Sequence, residues 1–347
     1  MKKLGIWGTA AAVLFFGLLI RAGNTGGHWQ TTARADAVTA DYAPRVIENI
    51  EVKNYNMVGR SRSTYLREPD RVLVVGNVLV ETMAALGLEN RILMAAAYSN
   101  PFFEPEPENM SRYWQIPLAG NEQLNTETVL MLQPDLIVAG QQPFSDKRIK
   151  NTDFWHQRGV HTFLSLNANS PFSYLHRETL EQEYEFLLGL GEIFACEPKT
   201  EAMTAAMKQE VQAIKEQSRD CPRPKVMILE RLNGQLAVYD DTKLAGDICV
   251  QLGARVPHTN QVIGYEDLLA EDPDVLFVVK SGGDPEAAAD VFRHMKALRH
   301  LKCVENHRVY GIALNYTYNS AVKTKAGIEK FARGLYPELF ANDEDGV

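Results

Sequence analysis

The chain has 347 residues, of which 45% are hydrophobic and 23% charged, so it is long enough for about two domains with cores of ordinary size. Its formal net charge of −8 argues against nucleic acid or an anionic membrane surface as the main partner, because both favour a basic protein face. Composition therefore predicts a globular protein and excludes a mainly disordered one.

The N-terminus combines two lysines with an uncharged apolar stretch. Lys2 and Lys3 precede Leu4–Ile20, whose length lies between that of a short membrane-spanning helix and that of a long signal-peptide core. The positive residues before the stretch outnumber the single Arg21 after it, which orients the rest of the chain away from the cytoplasm. We therefore predict an extracytoplasmic protein, periplasmic or attached to the outer face of the cytoplasmic membrane, with residues 1–37 as a cleaved signal peptide or a retained anchor and tether.

The strand and helix patterns begin with an N-terminal extension, residues 38–69, in which loose alternation around Val58-Gly59 indicates a β-hairpin. The main fold starts at residue 70, where Arg71–Gly76 has the pattern of a buried strand and a helical pattern follows. Strand and helix patterns then alternate with short links, which is typical of a parallel sheet covered by helices. Residues 70–177 are predicted to form an N-terminal lobe.

A long helical pattern without a neighbouring strand follows this lobe. We predict that residues 178–196 form a linking helix and that residues 197–347 form a C-terminal lobe, in which the alternation resumes. The predicted fold class is α/β, with two Rossmann-like lobes, each a parallel-type sheet flanked by helices, joined by one long helix.

One motif occurs twice. Leu124–Gly140 (LNTETVLMLQPDLIVAG) and Ile263–Val279 (IGYEDLLAEDPDVLFVV) each contain a glutamate, apolar residues at helical spacing, Pro-Asp and a β-branched run. Glu127 and Glu266 each stand seven residues before the proline, since 134 − 127 = 7 and 273 − 266 = 7. An ordinary link between a helix and a buried strand explains Pro-Asp, because proline stops the helix and aspartate tolerates the turn, but it does not explain the two glutamates.

The four cysteines all lie in the second half and form no C-x-x-C pair: Cys196, Cys221, Cys249 and Cys303. In an oxidising compartment this even number allows one or two disulfides, with three full pairings. Buried free thiols are an equal alternative.

The loops beyond the carboxyl ends of the strands are the expected ligand-binding region of both lobes. The candidate ligand-binding residues share aromatic rings, amides or isolated positive charges, and they are Tyr98, Arg112, Trp114, Gln141, Arg231, Tyr239, Lys280, Tyr316 and Tyr318. Such side chains suit a bulky, partly apolar ligand with oxygen acceptors or negative charge, because rings supply contact area and cations pair with anionic groups. Surface packing of the tyrosines and full solvation of the cations is the alternative.

Sequence motifs of enzymes and metal centres are missing. There is no G-x-S-x-G, no H-E-x-x-H, no GxGxxG after a strand and no P-loop, so no cofactor is predicted. A concentration of metal-binding residue types, His294, His300, Cys303 and His307, has no standard zinc spacing. Partly exposed histidines at a helix end explain that concentration better than a metal site does.

The order of these segments resembles that of class III substrate-binding proteins of ABC importers, which bind iron-siderophore complexes, haem or vitamin B12. The similarity spans about residues 70–340 and rests on RVLVVG, ETMAALGL, the two copies of the repeat, the long helix between them and the closing GIEKFARGLYPELF. The resemblance implies a rigid connecting helix, a shallow ligand cleft between the lobes and little lobe closure. It also implies that Glu127 and Glu266 match the glutamates that pair with arginines of a two-fold symmetric permease.

The chain departs from the family pattern in two ways. No cysteine follows the apolar N-terminal stretch, so the lipid anchor of many relatives is missing there, and the cleft lacks the dense arginine triad common in catecholate binders. We expect a binding protein, not an enzyme, that captures a metal chelate and delivers it to an ABC permease dimer. A ferric siderophore is favoured over haem and a corrinoid.

We further expect a monomer without a nucleic-acid partner, in contact with the membrane only through an uncleaved N-terminal segment. Two alternatives come from other classes of protein. One is a chelatase-like enzyme on a bilobal fold, and the other is a receptor domain that signals through its membrane segment.

Overall fold

The protein folds around two five-stranded sheets and one two-stranded sheet, as seen in a computed structural model that describes residues 42–97, 103–167 and 177–341. The predicted anchor and tether, residues 1–37, lie outside these ranges. Within the ranges, no helix has the length and apolar character needed to span a bilayer.

The two-stranded sheet is a hairpin of β1 (Arg45–Lys53) and β2 (Asn56–Tyr65). Its turn lies at Asn54-Tyr55, where both residues have positive φ (46° and 70°), as a two-residue turn between twisted strands requires. The turn expected at Val58-Gly59 is therefore wrong, because Gly59 pairs with Glu51 inside the ladder. The hairpin also covers a sheet edge, since the side-chain amide of Asn49 exchanges hydrogen bonds of 3.1 and 2.8 Å with the backbone of Leu164.

The N-terminal sheet is entirely parallel, with the order β5-β4-β3-β6-β7. Its strands are β3 (Val72–Val75), β4 (Ile92–Ala97), β5 (Leu118–Gly120), β6 (Leu136–Ala139) and β7 (His161–Leu164). The helices of this half are α1 (Asn77–Leu86), α2 (Met110–Tyr113), α3 (Thr126–Leu132) and α4 (Thr152–His156). Every residue of β3 and β6 is buried, as expected for strands covered on both faces.

The C-terminal sheet has the order β10-β9-β8-β11-β12. Its strands are β8 (Val226–Leu232), β9 (Gln235–Val238), β10 (Val262–Ile263), β11 (Val275–Lys280) and β12 (Val309–Ala313). Strands β8, β11 and β12 are parallel, whereas β9 runs antiparallel to both of its neighbours. The α/β fold class of two helix-flanked sheets is confirmed, with one antiparallel strand that the sequence reasoning missed.

The missed strand follows a tight turn. Asn233 and Gly234 connect β8 to β9, and both have positive φ, 49° and 84°. Asn-Gly is the strongest short sequence signal for such a hairpin, because both residues tolerate the left-handed conformation. The signal was therefore present in the sequence between two apolar runs.

A pair of packed helices connects the two halves, α5 (Leu180–Ile193) followed by α6 (Glu197–Gln217). Helix α5 lies within the predicted linking segment, 178–196. A capping box fixes its start, because Thr179 Oγ1 accepts from the backbone of Gln182 and the Gln182 side chain accepts from the backbone of Thr179. The remaining helices are α7 (Leu244–Gln251), α8 (Tyr265–Glu271), α9 (Pro285–Arg293), α10 (Lys302–Glu305) and α11 (Thr324–Leu335).

The repeated Pro-Asp has the same structural role in both halves. Asp135 accepts hydrogen bonds of 3.0 Å from the backbone N–H groups of Asp70 and Arg71, just before β3. Asp274 accepts one of 2.8 Å from the backbone N–H of Lys225, just before β8. Each aspartate therefore joins the start of its own strand to the start of the neighbouring parallel strand, and this explains the Pro-Asp half of the repeat.

All four cysteines are free thiols, two buried (Cys249 and Cys303) and two half-buried (Cys196 and Cys221). Burial raises the pKa of the Cys303 thiol to about 12, so it remains protonated at neutral pH. The disulfide alternative is therefore wrong, and the free-thiol alternative describes these residues.

A buried charge cluster connects the two halves. The Lys323 side chain, just before α11, is fully buried, with its Nζ 3.2 Å from the carboxylate of Glu81 on α1 and 2.7 Å from that of Glu106. It also donates to the carbonyl of Glu104 at 2.8 Å. Glu81 in turn accepts from the backbone N–H of Glu106 and from the Asn109 amide, at 2.8 and 3.0 Å. One lysine of the C-terminal half thus neutralises two carboxylates of the N-terminal half.

A second buried carboxylate joins α5 to both halves. Glu183 accepts from the Asn167 amide at 2.8 Å, from the backbone N–H of Ala321 and from the Thr324 hydroxyl at 3.3 Å. Burial raises its pKa from the ordinary value of 4.5 to about 7. The linking helix is therefore held between the two halves by one side chain whose charge depends on pH.

Lys323→Met is expected to lower the free energy of unfolding by roughly 3–5 kcal/mol, because it leaves Glu81 and Glu106 without their buried cation. Lys325→Met is the control, since Lys325 forms only an exposed pair with Glu329, which is worth about 0–1 kcal/mol. Urea unfolding of both variants measures the difference. Equal losses in the two variants would contradict a structural role for the buried cluster.

Replacing Glu183 is expected to change how stability depends on pH. Because the pKa is higher in the folded state, the folded protein loses stability relative to the unfolded chain as pH rises from about 4.5 to about 7. Glu183→Gln removes this loss, so the variant should gain roughly 2 kcal/mol relative to the wild type between about pH 5 and about pH 8. Urea unfolding at both pH values tests this, and parallel pH profiles for the two proteins would refute it.

Candidate functional site

The carboxyl ends of β8 and β11 form a candidate binding site in the described part of the chain. Strand order reverses between these neighbours, because the chain continues from β8 to β9 and β10 on one side and from β11 to β12 on the other. Loops that leave such a point in opposite directions open a crevice between them. A cavity of about 530 Å³ lies here, between the Asn233-Gly234 turn, the end of β11 and the apolar face of α9.

Two of the predicted ligand-binding residues meet at this cavity, Arg231 near the end of β8 and Lys280 at the end of β11. Both are exposed, and neither forms an ion pair with any residue that the structure describes. The one carboxylate in the lining belongs to Asp284, which accepts from the backbone N–H of Glu286 at 2.9 Å and caps α9. Two free cations over an apolar floor suit a ligand with an anionic or oxygen-rich edge.

The equivalent point of the N-terminal sheet lies between β3 and β6, where the strand order reverses in the same way. Gln141 follows β6 and is 1% exposed, and its side-chain oxygen has no hydrogen-bond partner in the described parts of the chain. Trp114 is 61% exposed and packs edge-on against Tyr113, with ring centroids 5.1 Å apart. Tyr98 lies outside the described residues, so its predicted contact with ligand stays a prediction.

Arg112 is not among the residues that line the cavity, and it contacts helix α1 instead. Its guanidinium lies 3.5 Å from the carbonyl oxygen of Ala84, at the C-terminal end of α1. Lys199 donates to the carbonyl of Leu86 at 2.9 Å, so two cations face the same helix end. Positive charge there complements the negative end of the helix dipole, and contact of Arg112 with a ligand stays a prediction.

The three predicted tyrosines of the C-terminal half divide into two groups. Tyr316 donates to Glu106 at 3.0 Å and lies beside Lys323, so it belongs to the buried charge cluster between the halves. Tyr239 is 5% exposed and donates to Glu230 at 2.9 Å. Burial, followed by Glu230, raises the pKa of Tyr239, and the neighbouring Tyr318 contributes to the same shift.

Sequence reasoning missed the residues that hold the two halves together, Glu81, Glu106, Glu183 and Lys323. Charged residues at such spacing are usually solvated helix surfaces, and no local pattern distinguishes a buried one. Their partners lie more than a hundred residues away in the chain, so only the tertiary structure identifies them.

The glutamates of the repeat have equivalent positions. Glu127 is the second residue of α3 and Glu266 the second residue of α8, and both are exposed. Neither carboxylate is part of an ion pair within the described ranges. Both helices have seven residues and end on a residue with positive φ, Gln133 at 50° and Asp272 at 41°. The docking role of the two glutamates stays a prediction, and their matched exposure is compatible with it.

Comparison with known proteins agrees with this architecture. Residues 72–315 match the family model described as "Periplasmic binding protein". An uncharacterized ABC transporter substrate-binding lipoprotein, YvrC of Bacillus subtilis, is 22% identical over 98% of this chain and 99% of its own length.

Two solved structures extend the agreement to the fold. A periplasmic binding protein from Veillonella parvula is 27% identical, covers 86% of this chain and 93% of its own, and superposes with a TM-score of 0.77. An ABC-type Fe3+-hydroxamate transport system protein from Saccharomonospora viridis is 20% identical, with 82% and 98% coverage and a TM-score of 0.61.

The family model covers well over half of the chain, and the two helix-flanked sheets agree with the predicted α/β fold class. The predictions of a binding protein rather than an enzyme, and of an extracytoplasmic location, are confirmed at the level of the family. The chain belongs to the periplasmic binding protein family, as an extracytoplasmic substrate-binding protein of an ABC importer.

Proposed function

We propose that the protein captures a metal chelate, with a ferric siderophore as the favoured ligand, and delivers it to an ABC permease dimer. The observation that carries the proposal is the pair of free cations, Arg231 and Lys280, at the 530 Å³ cavity where β8 and β11 diverge. Siderophores surround iron with oxygen donors and often carry net negative charge, which guanidinium and ammonium groups recognise.

The cavity lining separates this proposal from haem binding. Haem proteins usually supply an axial ligand from His, Met, Cys or Tyr, and none of these residue types lines the cavity in the described part of the chain. A corrinoid depends less on paired cations, because its periphery is mainly neutral amides. The similarity to a Fe3+-hydroxamate system is too distant at 20% identity to choose among these ligands, so the lining carries the preference.

The position of Lys280 supports a role in binding. Gly283, with φ at +88°, allows the chain to turn back directly after β11, and a Cβ atom there would lie 3.6 Å from the Lys280 side chain. Lys280 is exposed and lines the cavity, so an anionic ligand there can reach its ammonium group.

Arg231→Ala and Lys280→Ala are each expected to weaken binding of a ferric siderophore about tenfold or more, because each removes a charge-assisted contact worth roughly 1.5–3 kcal/mol. Quenching of intrinsic tryptophan fluorescence by ferric chelates, haemin and cobalamin measures the affinities.

Lys302→Ala is the matched control, since Lys302 is an exposed lysine of the same lobe that pairs with Asp272. Unchanged siderophore affinity in the double variant Arg231→Ala, Lys280→Ala would overturn the cavity as the site. If haemin is the one compound that binds tightly, and its Soret band is also present with the double variant, then the ligand is haem and not a siderophore.

We further propose that Glu127 and Glu266 dock the protein on the two permease subunits. Their equal place in two copies of one helix-to-strand unit supports this, because a two-fold symmetric partner presents two equal surfaces. A carboxylate in the first turn also stabilises its own helix, but that effect gives no reason for both side chains to remain unpaired.

The variant Glu127→Arg, Glu266→Arg is expected to abolish uptake and to leave ligand affinity unchanged, because like charges would face each other at the permease. Uptake of labelled chelate into cells and fluorescence titration of the purified variant measure the two quantities. The control is the double variant Glu201→Arg, Glu216→Arg, which makes the same change of charge at exposed positions of α6. Cells with this variant should take up the chelate normally. Loss of ligand affinity in the docking variant, or normal uptake by it, contradicts the assignment.

A further inference from the structure

A group of metal-binding residue types lies on the C-terminal half, apart from the cavity of Arg231 and Lys280. It consists of Asp240 and Asp241, in the turn between β9 and α7, and of His258, in the loop before β10. Among the residues that the structure describes, it is the one place where three such side chains bring a ligand atom each to within 4.8 Å of the others.

The distances suit a common metal ion. His258 Nδ1 lies 3.0 Å from a carboxylate oxygen of Asp240 and 2.9 Å from one of Asp241. Nitrogen and oxygen ligands bind Zn²⁺ at about 2.0–2.2 Å, so adjacent ligands of a tetrahedral shell are roughly 3.4 Å apart, a few tenths of an ångström more than the distances here. A metal ion therefore fits against all three atoms after small side-chain movements.

Asp240 is held in place from behind. It is 6% exposed, and its Oδ1 accepts from the backbone N–H and the hydroxyl of Thr242 at 3.0 and 2.6 Å. Its Oδ2 accepts from the backbone N–H of Thr259 at 3.3 Å and faces the imidazole. Such outer hydrogen bonds orient the carboxylates of metal sites and cost affinity when they are lost.

The open side of the group is exposed to water, with the His258 side chain 71% exposed and that of Asp241 28% exposed. Water can therefore complete the coordination shell. Two other exposed histidines have poorer surroundings, since His300 faces one carboxylate, Glu305 at 3.3 Å, and His294 Nδ1 faces a backbone carbonyl. Spatial convergence of two carboxylates on one imidazole distinguishes His258 from both.

We propose that Asp240, Asp241 and His258 bind one divalent transition-metal ion, of the class of Zn²⁺, with water in the remaining positions. One nitrogen and two carboxylate ligands are acceptable to several first-row metals, and affinity rises toward the end of that series. The ion would connect the turn after β9 to the loop before β10. The same turn meets the linking region, because the carbonyl of Thr242 accepts from the backbone N–H of Glu178 at 2.9 Å.

Titration of the untagged, EDTA-treated, chelate-free full chain with ZnCl₂ in a calorimeter tests the proposal. We expect one ion per chain and a higher unfolding temperature with Zn²⁺, because a ligand that binds only the folded state stabilises it. Substitution by Co²⁺ should give visible d–d bands, whose intensity reports the coordination number. His258→Ala and Asp241→Asn should each weaken the binding at least about tenfold.

His300→Ala is the matched control, an exposed histidine with a single carboxylate partner, and it should bind the ion as the wild type does. Absence of one-to-one binding, or binding that survives both His258→Ala and Asp241→Asn, would overturn the proposal. Thermal unfolding checks that the variants are folded. If His258→Ala does not fold, Asp241→Asn alone tests the metal site. The chelate site is judged separately, since ferric-siderophore affinity should be equal in His258→Ala and in the wild type.

Discussion

The burial of Lys323 between two carboxylates is the constraint on which the arrangement of the two halves depends. Its ammonium group is removed from water together with Glu81, and ion pairs of 3.2 and 2.7 Å to Glu81 and Glu106 replace the lost hydration. Such a cluster tolerates little displacement, because separating a buried charge from its partner leaves it without solvent or counterion. Glu183 adds a second buried contact from the linking helix to the segment just before α11. These contacts are compatible with the little lobe closure that the family resemblance implied.

The two five-stranded sheets are related by pseudo-symmetry of their strand order. The orders β5-β4-β3-β6-β7 and β10-β9-β8-β11-β12 are the same order written twice, with β3 equivalent to β8 and β6 to β11. Each half therefore has one point where the strand order reverses. In each half a short helix, α3 or α8, leads into one of the two strands at that point, β6 or β11. Asp135 and Asp274 accept hydrogen bonds from backbone N–H groups just before β3 and β8, and so they fix the starts of these strands. The exposed glutamates in the first turns of the preceding helices, Glu127 and Glu266, are left available for a contact outside the chain.

The cavity of the C-terminal half contains two predicted ligand-binding residues, although the sequence analysis missed the neighbouring strand β9. The ends of two strand patterns predict Arg231 and Lys280 as ligand-binding residues, and both line one cavity. The unrecognised hairpin at Asn233-Gly234 does not disturb that prediction, because β8 and β11 are neighbours whether or not β9 exists. The same rule predicts Tyr316, which belongs to the contact between the halves, since its hydroxyl donates to Glu106. A loop position predicts nearness to the site, whereas the direction of a side chain depends on what packs around it.

The sequence by itself determined most of the elements and their order, with β9 and the first hairpin turn as exceptions, because apolar spacing, helix caps and turn residues act over a few neighbouring positions. Local sequence patterns predict, for example, the last helix, Thr324–Leu335, and the buried strand Val275–Lys280. Only the tertiary structure decided which charges are buried, which cysteines remain free thiols and that His258 meets two aspartates. Those outcomes depend on contacts between residues far apart in the chain, and a buried lysine such as Lys323 has the same local sequence context as a solvated one.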